Sequence, residues 1–335
     1  MCGIVAIKRY DGNGSASKMT LKRYRNQKSR GSEGFGFLAI KDGLLTDYIR
    51  TETETDVVKH LENNHAPNII FHHRFPTSTP NFAQASHPIK VSSPLLKHDY
   101  YMIHNGVIWN DKALKAKHEA LGFKYTTELV HRYESQGNTI FENRVFNDSE
   151  ALAIELAMDI DKDGVGIDVT GSIAFVILQL KKNTQKTVKM FFGRNEGSPL
   201  KIEKAKGSFI AITSAGNGDM IPTNVLFSID EGSKEIVSRE YLIGTERTSS
   251  YSYGSMGFHG INDYNDDYMP STPRGIKSTA DLLDDQDEYE YQYLKEEYTA
   301  KTKKLAKMLD WTTKEAQELQ SEIFDLESEL SMYAE

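Results

Sequence analysis

Residue two is the only cysteine in a chain of 335 residues. Removal of Met1 would leave Cys2 with a thiol and a free α-amine, so that one residue supplies a nucleophile and a base of pKa about 7.7–8.0. A sole cysteine placed at random falls at that position about once in three hundred. The plain alternative is a residue that merely follows the initiator. Three further places carry residue types suited to the same chemistry. Arg74 stands just past an apolar run, where a planar guanidinium can hold a carboxylate by two parallel hydrogen bonds or simply face water. Asn105-Gly106 is the strongest short hairpin signal. The same pair also supplies an amide and a backbone N–H, two neutral donors able to converge on a developing oxyanion. Asp148, with Asn147, reads as the cap of a following helix, and a capping carboxylate can also accept from a bound ammonium.

The elements that must position these residues read as follows. Cys2 to Ile7 is a buried strand ended by the turn Asp11 to Ser15, and Lys18 to Arg30 is a basic helix. Arg30-Gly31-Ser32-Glu33-Gly34-Phe35-Gly36 is either a tight turn or an anion cradle. It leads into a strand at Phe37 to Ile40 with a hairpin turn at Asp42-Gly43. Asn68 to His73 is a strand stopped by Pro76 and Pro80. Tyr100 to His104 is a strand expected to stop at Asn105-Gly106, and Asp111 caps a helix reaching Leu121. Ala151 to Ile160 is helical, and Gly171 to Leu180, Thr187 to Phe192, Leu200 to Ile202 and Phe209 to Thr213 are strands. Many strands with few helices predict an α+β fold of antiparallel sheets.

A net charge of −8 argues against a general binder of nucleic acid or of membrane surfaces. No apolar run approaches the eighteen or so residues of a membrane span, and a lone cysteine suits a reducing, cytoplasmic compartment. His72 and His73 point to opposite faces of a strand and find no partner at metal-ligand spacing, so no metal and no cofactor are expected. Residues 2–243 read as the catalytic domain and 244–290 as a linker rich in Tyr, Ser, Gly and Asp. Residues 291–335 read as a helical tail. Its heptad seam runs through Tyr298, Thr302, Leu305 and Leu309 to Leu330 and Tyr333, as one coiled-coil rod or as two helices broken near Asp310, where Thr312 and Glu315 match a capping box.

Five segments in order, Met1-Cys2-Gly3-Ile4, Arg30-Gly31-Ser32-Glu33-Gly34, His72 to Thr77, His104-Asn105-Gly106-Val107-Ile108 and Asn147-Asp148-Ser149-Glu150, resemble the class II glutamine amidotransferases, which are N-terminal nucleophile hydrolases. The resemblance spans roughly residues 2 to 240 and takes in Gly171 to Ala174 and the Arg194 to Leu200 turn. It implies a four-layer αββα sandwich and hydrolysis of the glutamine side-chain amide through a thioester. It also implies Cys2 as nucleophile, Asn105 and Gly106 as the oxyanion hole, and Arg74, Asp148 and Thr77 as contacts to the substrate. Glu33 stands where the family usually has aspartate, Ser78 where glycine or histidine is common, and Ala85-Ser86-His87-Pro88 where Asn-Ala-His-Pro is usual. The partners implied are glutamine and a synthetase protein that takes the ammonia, or a second copy bound through the tail. The rival readings are a silent structural or assembly protein on the same fold, and an N-terminal-cysteine hydrolase acting on another amide.

Overall fold

The computed structural model describes residues 2–10, 15–75, 79, 82–135, 138–205, 207–245, 297–301, 304, 319, 322 and 323, with backbone only over 131–143. It divides into a unit Met1–Ser249 and a unit Ser250–Glu335. The first unit begins with strand β1 (Gly3–Arg9), helix α1 (Ala16–Asn26), β2 (Phe35–Lys41), β3 (Leu44–Thr51), α2 (Glu54–Glu62) and β4 (Asn68–His73). β5 (Ile89–Val91), β6 (His98–Ile108), α3 (Asp111–Ala120), β7 (Leu129–Ser135), β8 (Asn138–Val145) and α4 (Asp148–Ile160) follow. It ends with β9 (Gly166–Lys181), β10 (Thr187–Arg194), β11 (Lys201–Ala205), β12 (Phe209–Thr213), β13 (Asp219–Met220), β14 (Val225–Asp230), β15 (Val237–Glu240) and β16 (Leu242–Thr245).

Two seven-stranded sheets carry the fold. The first has the order β13-β11-β12-β1-β4-β2-β3, and the second β15-β14-β10-β9-β6-β5 with β16 added beside β9. All pairings in them are antiparallel except β16 with β9. Alternation along each strand sorts the side chains into three apolar layers. Val5, Ile7, Phe37 and Phe71 pack under α1 and α2 with Tyr24 and Leu61. Ile4, Ala6, Leu38 and Ile70 meet Ile103, Val176 and Leu178 between the sheets. Met102, Phe175 and Ile177 pack against Leu152 and Leu156 of α4. The result is the αββα sandwich expected from the sequence.

Two expectations change. β6 does not stop at Asn105-Gly106: it runs on to Ile108, with Asn105 opposite Ala174 and Gly106 opposite Ile173 of β9. The turn signal is overridden because β9 offers an unbroken pairing surface across those positions. Asn110 rather than Asp111 occupies the cap position of α3, and its side-chain carbonyl accepts from Thr170 N at 3.0 Å instead of capping the helix. Among the elements additional to those expected from the sequence are α2 and the hairpin β7–β8, a separate two-stranded sheet between α3 and α4. Asn147 is the cap of α4, its Oδ1 accepting from Ser149 N at 2.9 Å, which makes Asp148 the first helical residue.

In the second unit, Lys301 Nζ pairs with Glu297 at 2.8 Å and with Glu322 at 3.0 Å. Apart from Tyr298, Leu319 and Ile323, the heptad seam lies outside the described residues, as does the 246–290 part of the linker. No helix among the described residues is long and apolar enough to cross a membrane.

Candidate active site

Strand register decides which face each candidate side chain takes. Gly3 pairs with His73, so Cys2 falls opposite Arg74, and both continue the parity of Ile4 and Ile70, whose side chains face the space between the sheets. In the second sheet Ile103 faces the same space, and Asn105 shares its parity. His72 on β4 then joins the sheets directly: its Nε2–H donates to the His104 carbonyl at 2.9 Å, one peptide before Asn105.

Cys2 is buried, and its Sγ accepts from Phe75 N–H at 3.4 Å. Burial pushes its thiol above the ordinary value and the nearby Asp148 carboxylate adds to this, while the Phe75 N–H and the Arg74 guanidinium pull back. The thiol is therefore protonated at rest and needs a base to become a nucleophile. Arg74 is 2% exposed, and its Nη2 donates to the Thr79 carbonyl at 2.9 Å and to Thr79 Oγ1. Burial lowers its pKa, opposed by the charges of Cys2, Asp148 and Glu33. Asp148, also buried, accepts from Ile108 N at 2.7 Å, which ties the start of α4 to the end of β6. One buried thiol thus lies in the fields of one buried cation and one buried anion. Thr77 lies outside the described residues.

Asn105 is 1% exposed, and neither its Oδ1 nor its Nδ2 has a partner among the described residues. A buried amide without partners costs about 1–3 kcal/mol for each unsatisfied group, so its retention there calls for a reason other than folding. Gly106 has φ +147°, and a Cβ at that position would lie 1.7 Å from the Ser172 carbonyl oxygen and 2.8 Å from His104 Nε2. Only glycine fits.

Residues that the sequence reading left without roles hold this arrangement. Arg30 Nε donates to the Cys2 carbonyl at 3.1 Å, and Gln27 Nε2 to the Ile4 carbonyl at 3.0 Å. Ser214 Oγ accepts from Ile4 N at 3.0 Å. The glycine-rich loop braces the end of β4: Glu33 N donates to the Arg74 carbonyl at 3.0 Å and Arg74 N to the Gly34 carbonyl at 2.8 Å. A Cβ on Gly31 would come within 2.6 Å of the Arg74 backbone. His104 Nε2–H donates to the Ser172 carbonyl at 3.3 Å, so its Nδ1 accepts from Ser149 Oγ at 2.8 Å. Asn195 clamps β9 opposite Gly106, donating to the Gly171 carbonyl at 2.7 Å and accepting from Ile173 N at 2.8 Å. Burial drives His72 and His87, whose rings lie 4.1 Å apart, well below the ordinary imidazole value, so both are neutral at pH 7. Among the described residues no group of His, Cys, Asp and Glu has the geometry of a metal site.

Three solved structures are similar to this chain. The allosteric regulatory enzyme of purine biosynthesis is 17% identical over 71% of this chain and 49% of its own, with a TM-score of 0.51. The first unit has the class II glutamine amidotransferase fold. The glutamine phosphoribosylpyrophosphate amidotransferase from B. subtilis, complexed with ADP and GMP, is 17% identical over the same shares, with a TM-score of 0.46. A glutamine aminotransferase class-II domain protein from Silicibacter pomeroyi is 11% identical over 72% of this chain and 99% of its own, with a TM-score of 0.42. The chain spans about half the length of the first two structures. No protein-family model and no curated protein matches the sequence.

Proposed function

We propose that the first unit is a glutaminase domain that hydrolyses the side-chain amide of glutamine to glutamate and ammonia, with a synthetase protein as the ammonia acceptor. The observation that carries this reading is the buried Cys2 thiol lying in the fields of both Arg74 and Asp148. A free amino acid presents one carboxylate and one ammonium at one end, and a fixed cation and anion beside a nucleophile match that zwitterion.

With Met1 removed, the α-amine of Cys2 takes the thiol proton through a water, and the thiolate attacks the amide carbon. Asn105 Nδ2–H and Gly106 N–H donate to the oxyanion. Collapse of the tetrahedral adduct breaks the C–N bond, ammonia leaves with a proton from the α-ammonium, and a γ-glutamyl thioester remains. Water then attacks the thioester, releasing glutamate and restoring the thiol. Arg74 binds the α-carboxylate and Asp148 the α-ammonium throughout, with Thr77 as a further substrate contact. Arg74→Ala tests the assignment: the Michaelis constant for glutamine rises by about a hundredfold, as loss of a charge-assisted pair of about 3 kcal/mol requires, while kcat changes much less. An unchanged Michaelis constant would exclude Arg74 as the carboxylate site and favour an amide substrate without a free α-carboxylate.

A further inference from the structure

Strand β1 carries Cys2 ahead of one end and a second set of polar residues at the other. From Gly3 to Arg9 the strand covers about 20 Å, so the two places are distinct. At the far end a cavity of about 590 Å³ opens where both sheets contribute walls, lined by Lys8 near the end of β1 and Tyr10 just after it, by Lys181, Lys186 and Thr187 around the β9–β10 turn, and by Glu231 after β14. The walls are tied together: Thr187 N donates to the Gly43 carbonyl at 2.8 Å, and Arg9 N donates to Asn68 Oδ1 at 3.2 Å.

The charge of this cavity opposes that of the chain. Lys8, Arg9, Lys181 and Lys186 line it against two carboxylates, Asp42 and Glu231. Lys8 pairs with Glu231 at 3.1 Å, whereas Lys181 and Lys186 have no ion pair among the described residues. A further cation, Lys234, stands 5.6 Å from the centre of the Tyr10 ring, and Lys8 stands 5.9 Å from it. Gathering like charges around one hollow is unfavourable, and a bound anion would offset the cost. Two lining residues also carry donors in need of partners. The hydroxyls of Tyr10 and Thr187 are buried with no partner among the described residues, and Thr187 is only 5% exposed. Burial and the Glu231 charge push the Tyr10 phenol up to about 12, so it remains a donor at neutral pH.

We propose that this cavity binds the phosphate group of a small phosphorylated metabolite, with Lys181 and Lys186 as counter-charges and the Tyr10 and Thr187 hydroxyls as donors. Donors on separate walls suit the tetrahedral oxygens of a phosphate better than the two coplanar oxygens of a carboxylate. The volume lies within the range of small-molecule sites and leaves room for a sugar-sized group beyond the phosphate.

Titration calorimetry on the full chain without glutamine tests the site, using inorganic phosphate and glycerol 3-phosphate against chloride at matched ionic strength. Both probes are expected to bind saturably. In Lys181→Ala/Lys186→Ala both dissociation constants rise by about tenfold or more, and in Thr187→Val by several fold. Lys181 and Lys186 are exposed, so the double variant retains its fold and its phosphate-free ammonia release. Absence of saturable heat up to about 10 mM phosphate, or affinity unchanged in the double variant, would overturn the proposal. Because binding is read without glutamine and is expected in Cys2→Ala as in the parent, the outcome is independent of the glutaminase assignment.

Discussion

Asn105→Leu separates a catalytic role from a structural one at a single residue. Leucine has nearly the shape of asparagine but no polar atoms. In the folded protein the Asn105 amide makes no hydrogen bond to any described residue, and the side chain is 1% exposed. The substitution therefore removes buried, unsatisfied polar groups, each costing about 1–3 kcal/mol, and gives up no hydrogen bond to a described residue. Stability is expected to hold or to rise by about 1 kcal/mol. Loss of one oxyanion donor, by contrast, lowers turnover by about 100- to 1,000-fold, or roughly 2.7–4 kcal/mol of transition-state stabilisation. The Michaelis constant should move little, since in the proposed mechanism Arg74 and Asp148 hold the other end of the substrate. Urea unfolding and a glutamate-release assay on the same preparation read the two quantities. Loss of stability by more than about 2 kcal/mol would show that the amide is structural, and unchanged turnover would remove Asn105 from the oxyanion hole.

Two further perturbations follow from groups around β1. His73 is buried with its Nδ1–H donating to the Gly31 carbonyl at 2.7 Å, and burial lowers its pKa from 6.5 to about 4. Between those values the unfolded chain binds more protons than the folded one, so this stabilisation is complete above pH 6.5 and is lost as the pH falls towards 4, by about 3 kcal/mol at most. Urea midpoints measured from pH 7 to 4.5 should fall steeply in the parent and less steeply in His73→Gln; equal slopes would assign the acid sensitivity elsewhere, His72 and His87 being the next groups in line. Arg30→Met removes the donor to the Cys2 carbonyl and should lower stability by about 1.5 kcal/mol in urea unfolding with the glutamine Michaelis constant unchanged. Full stability in that variant would mean that Arg30 does not brace the strand carrying Cys2.

How much was legible depended on whether a feature lay in residue type or in distant contacts. A lone cysteine at position two, an arginine after a strand and an Asn-Gly pair can be picked out because their chemistry belongs to the side chains themselves. β4 and β12 match their sequence-read bounds because short apolar runs between turn residues leave few alternatives. The braces could not be seen in the same way. Ile4 N meets Ser214 across 210 positions, and Gln27, Arg30 and Asn195 act on backbone groups that no local pattern marks. Asn105-Gly106 misled as a turn signal because strand pairing with β9 outweighs a two-residue preference. α2 did have a local signal, Thr53 Oγ1 accepting from Asp56 N at 3.4 Å. The polar strand Val237–Glu240 had none, since its pairing with β14 rests on backbone bonds rather than on apolar alternation.

In the proposed mechanism Cys2 performs amide chemistry with its own α-amine as base. This is tested by ammonia release from glutamine, using protein whose mass establishes that Met1 is absent, beside the same preparation of Cys2→Ala. Glutamine-dependent ammonia is expected from the parent and none above background from the variant. Equal release from both, or no release from a parent with a free Cys2 amine, would contradict it.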